Sequence, residues 1–161
     1  MADLTKQETA ALSAIETLED PVKLRALMGN ARRLGSATVE RAAFTRLCAV
    51  QPSAEPGSIA FAVWQSIHAL EEMLLEERGR TTRLTRTRQK ITRDGEEKTV
   101  ADLTLKAEPS AGFTDLIARG HPELTFEAVV LAHPETFEAP VIDAARTRLT
   151  EAGVETAAPQ N

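Results

Sequence analysis

Ala60, Val63, Ile67, Leu70 and Leu74 succeed one another by alternating steps of three and four, with Trp64 and Met73 beside them. These positions share one face of an α-helix but fall on both faces of a strand, so only a helix gathers them into one buried stripe. Further upstream the same spacing recurs in Leu4, Ala11, Leu12, Ile15 and Leu18, then in Leu24, Leu27, Met28, Ala31 and Leu34, and again in Val39, Ala43, Phe44, Leu47 and Val50. Between these runs stand residues that start and stop helices. Thr5-x-x-Glu8 has the form of a capping box, Asp20-Pro21 joins an N-cap to a proline at the first helical position, Gly35 suits a left-handed C-terminal position, and Ser36 and Ser58 can each cap a helix of their own.

With five Phe, one Trp and no Tyr, the core has to be built from Leu, Val, Ile and Ala, which favours helix-on-helix packing. The expected fold is all-α, a compact bundle of about seven to eight helices with short connections. Residues 1–153 are read as a single helical domain and 154–161 as a disordered tail. A loop is expected over Gln51–Gly57. Over 84–105 the pattern fits two short helices broken near Gly95, with a small β-hairpin turning at Asp94-Gly95 as the alternative. Pro140 opens a last helix carrying Val141, Ile142, Ala145 and Leu149. His121-Pro122-Glu123 is echoed by His133-Pro134-Glu135, and each copy is read as a device that opens a helix.

The first residues, Met1 to Lys6, lack the basic start and apolar stretch of a secretory signal, no run is long and apolar enough for a bilayer, and the single Cys48 lies in an apolar helical stretch. A cytoplasmic protein with a packed thiol, no membrane association and no cofactor is expected.

Charge is distributed unevenly. Residues 78 to 93 hold seven basic side chains and no acidic one in a chain of net charge -5. The seven are Arg78, Arg80, Arg83, Arg86, Arg88, Lys90 and Arg93, interleaved with five threonines. Cations and hydroxyls at this density suit phosphate oxygens, and the guanidinium fork adds bidentate geometry. The competing reading is internal: Glu71, Glu72, Glu76 and Glu77 precede the island, and pairs such as Glu76 with Arg80 fit a continuing helix.

Other motifs carry less. Ala31 to Arg41 invites comparison with a helix-turn-helix, but only Gly35 and Ser36 separate the two helices, a connection suited to an antiparallel αα-hairpin. His68 precedes Glu71 and Glu72, the reverse of the Glu-x-x-His order of bundle metal sites, and His121 and His133 lie in no ligand cluster. Glu96-Glu97-Lys98 matches the tail of a nuclease arrangement without the strand that should carry its upstream Asp. No catalytic motif is found.

The leading expectation is a nucleic-acid-associated helical protein, DNA-binding or accessory to a DNA-acting complex, with the seven cations as its contact surface. The alternative is an adaptor or regulator that docks the same island on an acidic protein partner, or forms a homodimer through the long helix.

Overall fold

The first helix, α1 (Lys6–Ile15), begins where the capping box places it. The Thr5 amide donates to Glu8 Oε2 at 2.8 Å and the Glu8 amide to Thr5 Oγ1 at 3.1 Å. Asp20 caps α2 (Pro21–Leu34) through the Val22 amide, and Gly35, at φ 77°, ends it. Ser36 caps α3 (Ala37–Val50) and also donates its hydroxyl to Glu8 Oε1 at 2.8 Å. The computed structural model describes residues 4–156, and the chain gathers into two compact units, Met1–Pro52 and Ser53–Asn161, divided in the loop that composition marks. The tail expected over 154–161 lies mostly outside the described residues, and 154–156 have no regular structure.

In the first unit α2 and α3 form an αα-hairpin whose tight turn leaves no room for a protruding recognition helix. Arg32 crosses the turn to Glu40 at 2.7 Å, and Arg46 donates to the Leu18 carbonyl at 2.9 Å instead of pointing to solvent. Leu24, Met28, Ala43, Phe44, Leu47 and the thiol of Cys48 fill the core. Leu34 departs from its expected place in the α2 stripe and is 73% exposed, being the last residue of the helix and at the edge of the buried face.

The second unit holds α4 (Ile59–Arg78), α5 (Thr85–Asp94), α6 (Glu96–Thr104), α7 (Ala111–Ala118), a 3-10 turn (Pro122–Leu124), α8 (Phe126–Ala132) and α9 (Ala139–Glu151). Nine α-helices are thus described where seven to eight were expected, and no strand occurs among the described residues. The β-hairpin alternative over 84–105 is not the observed structure. Gly95 does turn the chain, at φ 89° and ψ 166°, but its amide closes α5 on the Ile91 carbonyl at 2.8 Å and α6 begins at the next residue. Helices win there because Ile91 and Val100 reach a common core that two isolated strands would leave open.

Val63, Ile67, Ile91, Val100, Val129, Val130, Phe137, Val141 and Ala145 make that core. Val63 and Ile67 of the α4 stripe are therefore consumed inside the unit, whereas Leu70 and Leu74 are only half-buried. The His-Pro-Glu echo is real in the backbone: His121 (φ -118°, ψ 54°) and His133 (φ -130°, ψ 56°) adopt one conformation. Neither copy opens an α-helix directly, however. The first opens the 3-10 turn, after which Thr125 caps α8, and the second opens a turn that leads to α9.

One charged pair is buried in this unit. Arg148 donates to Glu127 Oε1 at 3.0 Å and to the Leu103 and Lys106 carbonyls, tying α9 to α8 and to the C-terminal end of α6. Their side chains are 9% and 4% exposed. Arg148→Met strands the Glu127 carboxylate and should destabilise the protein by about 3–5 kcal/mol in urea unfolding, while the double change Glu127→Leu, Arg148→Met should recover most of that loss. Equal losses from the single and double variants would contradict a paired role.

A second network is half-buried. Lys90 bridges Asp94 at 2.9 Å and Asp102 at 2.8 Å, joining α5 to α6. Hydrogen bonds from Arg93 first, and then Lys90, lower the Asp94 carboxyl to about 2, against an ordinary value of 3.8. A carboxylate with a lowered folded pKa stabilises the fold above the ordinary value and loses that contribution as pH falls to the folded one. Between pH 4 and pH 2 the melting temperature of Asp94→Asn should therefore fall less steeply than that of the wild type; parallel acid limbs would exclude Asp94 from acid sensitivity.

Candidate nucleic-acid interface

The cationic segment begins where α4 stops. Gly79, at φ 69°, takes the left-handed position that ends the helix, leaving Arg78 in its last turn, and residues 80–84 run without regular structure to the start of α5. Glu71, about two turns back from Arg78 on α4, anchors the far side of this loop. Its carboxylate accepts from the Leu84 amide at 2.8 Å, from Arg88 Nε at 2.8 Å and from Arg88 Nη2. The Arg88 guanidinium also lies 5.1 Å from the Trp64 ring centroid, and Trp64 Nε1 donates to Glu96 Oε1 at 3.2 Å. Burial alone pushes the Glu71 carboxyl up, but the Arg88 and Leu84 hydrogen bonds and the Arg88 charge outweigh it and hold the group below the usual carboxylate range.

The seven expected contact residues consequently divide. Arg88 is held by Glu71 and Trp64, and Lys90 by Asp94 and Asp102. Arg93 reaches Asp94 at 3.2 Å while its side chain stays 69% exposed. Arg78, Arg80, Arg83 and Arg86 are exposed, and among the described residues none of them forms an ion pair or side-chain hydrogen bond. The pairing expected between Glu76 and Arg80 does not form, because Glu76 accepts from Arg119 of α7 at 3.1 Å. Among the four preceding carboxylates, Glu71 holds a member of the island, and Glu72 is buried.

Two of these cations, Arg86 and Arg93, are also ordered along a helix. Thr85, Arg86, Gln89, Thr92 and Arg93 are the exposed positions of α5, spaced one, four, seven and eight residues from the first, which is a single solvent-facing stripe. Beside it runs a shallow depression of about 390 Å³ lined by Arg83, Thr85, Arg88, Gln89, Thr92 and Arg93, with no acidic side chain in its lining. Gln89 was not singled out in the sequence, where charge alone drew attention to the segment. Its amide offers both a donor and an acceptor at the centre of the stripe.

The remaining candidates have structural positions. Glu96 holds Trp64, Lys98 pairs with Asp102 at 3.1 Å, and the tripeptide opens α6 where a nuclease tail would need a strand. His68 lies with its ring centroid 6.4 Å from that of Trp64, and burial first, against the pull of Glu71, lowers its pKa. No cluster of His, Cys, Asp or Glu able to hold a metal occurs among the described residues, and no described helix is long and apolar enough to cross a membrane. Set beside known proteins, the chain matches no family model, no curated protein and no solved structure.

Proposed function

We propose that this protein binds nucleic acid, duplex DNA in particular, through the loop of Arg78, Arg80 and Arg83 and the outward stripe of α5. The observation that carries the reading is the acid-free depression on α5, where guanidinium, hydroxyl and amide groups lie together on one rigid face. Phosphate oxygens are met by such groups, and counterion release makes each contact favourable at low salt. Arg88 belongs to the scaffold that sets the helix, and Arg80, Arg83, Arg86 and Arg93 are the phosphate-facing side chains.

Duplex DNA is preferred to single strands or folded RNA for two reasons. An α-helix of ten residues, about 15 Å long, fits the major groove of B-form DNA but not the narrow major groove of A-form RNA. Stacking platforms for unpaired bases are also missing from this face, which carries no aromatic side chain among the stripe or the residues of the depression.

Anisotropy of a labelled random duplex, measured across a salt series, tests the proposal. Replacing Arg80, Arg83 and Arg86 with Ala should weaken binding about equally on all sequences and reduce the salt slope by roughly one per lost contact, with the melting temperature unchanged. Glu71→Ala should instead lower the melting temperature, because it frees a buried edge of the Arg88 clamp. A wild-type protein that ignores duplex DNA at low salt yet binds polyglutamate would move the same face to an acidic protein partner and overturn the nucleic-acid reading.

A further inference from the structure

Beneath α5, on the side away from the basic stripe, the second unit forms a cavity of about 680 Å³ that is partly open to solvent. Its walls come from α4, α6, α7 and the starts of α5 and α8. Leu70, Leu74, Leu84, Leu103 and Phe126 line it, and each of them is only half-buried. Five large apolar side chains are thus left partly open in one place, whereas the fully exposed ones, Leu4, Val22, Leu34 and Leu105, do not line this cavity. A Cβ added to Gly112 on α7 would lie 2.8 Å from Leu70 Cδ1, so the Leu70 side chain of α4 rests directly on the α7 backbone.

The polar groups define what such a space accepts. Glu77, Arg78 and Asp115 are its exposed charged residues, from the end of α4 and the outer face of α7, whereas Arg119 is held by Glu76 and Glu127 by Arg148. No buried, unpaired charge is left to pair with an ionised guest. Thr125 spends its hydroxyl on the Pro122 carbonyl and the Ala128 amide, and Ser110 caps α7. We propose that the cavity is a binding site for an uncharged, predominantly apolar small molecule. Its volume lies within the range of about 300–1,000 Å³ that accommodates drug-sized ligands, and an apolar lining favours such a guest over water. Arg78 apart, the cavity shares no side chain with the nucleic-acid face, which lies on the opposite side of α5.

The test uses the full-length protein and N-phenyl-1-naphthylamine, an uncharged apolar fluorophore whose emission rises and shifts to the blue in a dry site. One saturable site per chain is expected. Leu74→Trp and Leu103→Trp, which fill the space from two different helices, should each weaken binding at least tenfold, and Leu34→Ser on α2 should leave it unchanged. Circular dichroism melting identifies which filled variants remain folded, and either one suffices. Absence of saturable binding to the wild type, or equal binding by a folded filled variant, would overturn the proposal. Neither result involves DNA, so failure here and failure of the nucleic-acid reading are separate outcomes.

Discussion

The carboxylate of Glu71 decides what the cationic segment can present. It takes the Leu84 amide at the start of α5 and the guanidinium of Arg88 one turn later, so one group fixes both the position of the helix and its rotation about its own axis. Stacking of Arg88 on Trp64 and the Trp64 bond to Glu96 extend that fixing to α6. With Arg88 turned inward, helical geometry leaves Thr85, Arg86, Gln89, Thr92 and Arg93 outward. A half-buried, bidentate pair of this kind is better suited to setting an orientation than to adding net stability, since desolvation offsets much of its attraction.

The same sorting of charge runs through the second unit. Cations that meet acids inside the unit hold helices together: Arg148 joins α9 to α8 and α6, Lys90 joins α5 to α6, and Arg119 joins α7 to α4. Lys106 apart, the cations of this unit that meet none among the described residues lie between Arg78 and Arg86. Seven positive charges in sixteen residues are thus two populations, one paired within the fold and one without an ion pair among the described residues. α5 is the element on which both populations, and the wall of the apolar cavity, come together.

Much of the helical architecture was legible because its signals are local. Thr5, Asp20, Ser36 and Ser58 cap the helices that their positions suggest, and the two-residue link at Gly35-Ser36 gives the αα-hairpin. Periodicity was less informative about what the apolar face meets. Leu70 and Leu74 continue the stripe of Val63 and Ile67, but they look into a cavity, and spacing is blind to whether a face meets side chains or a void. Asp94-Gly95 was ambiguous for a physical reason too, since a glycine at positive φ serves a hairpin and a helix-to-helix break alike. The candidate site was legible as a segment and not as a surface. Its seven cations are read directly from composition, but their partners lie at separations that no helical spacing gives: Glu71 is seventeen residues from Arg88, and Asp102 is twelve from Lys90. Arg148 left a faint trace, a charge beside Ala145 and Leu149 on an otherwise apolar face, and its partner Glu127 left none.

Side-chain NMR of the arginine Nε groups, recorded while a short DNA duplex is titrated in, tests the division of the cations most directly. The signals of Arg80, Arg83, Arg86 and Arg93 should shift or broaden with added duplex while that of Arg88, locked by Glu71, stays in place. An Arg88 signal that moves with the others would contradict the clamp, and a spectrum in which none of the five responds would contradict the interface.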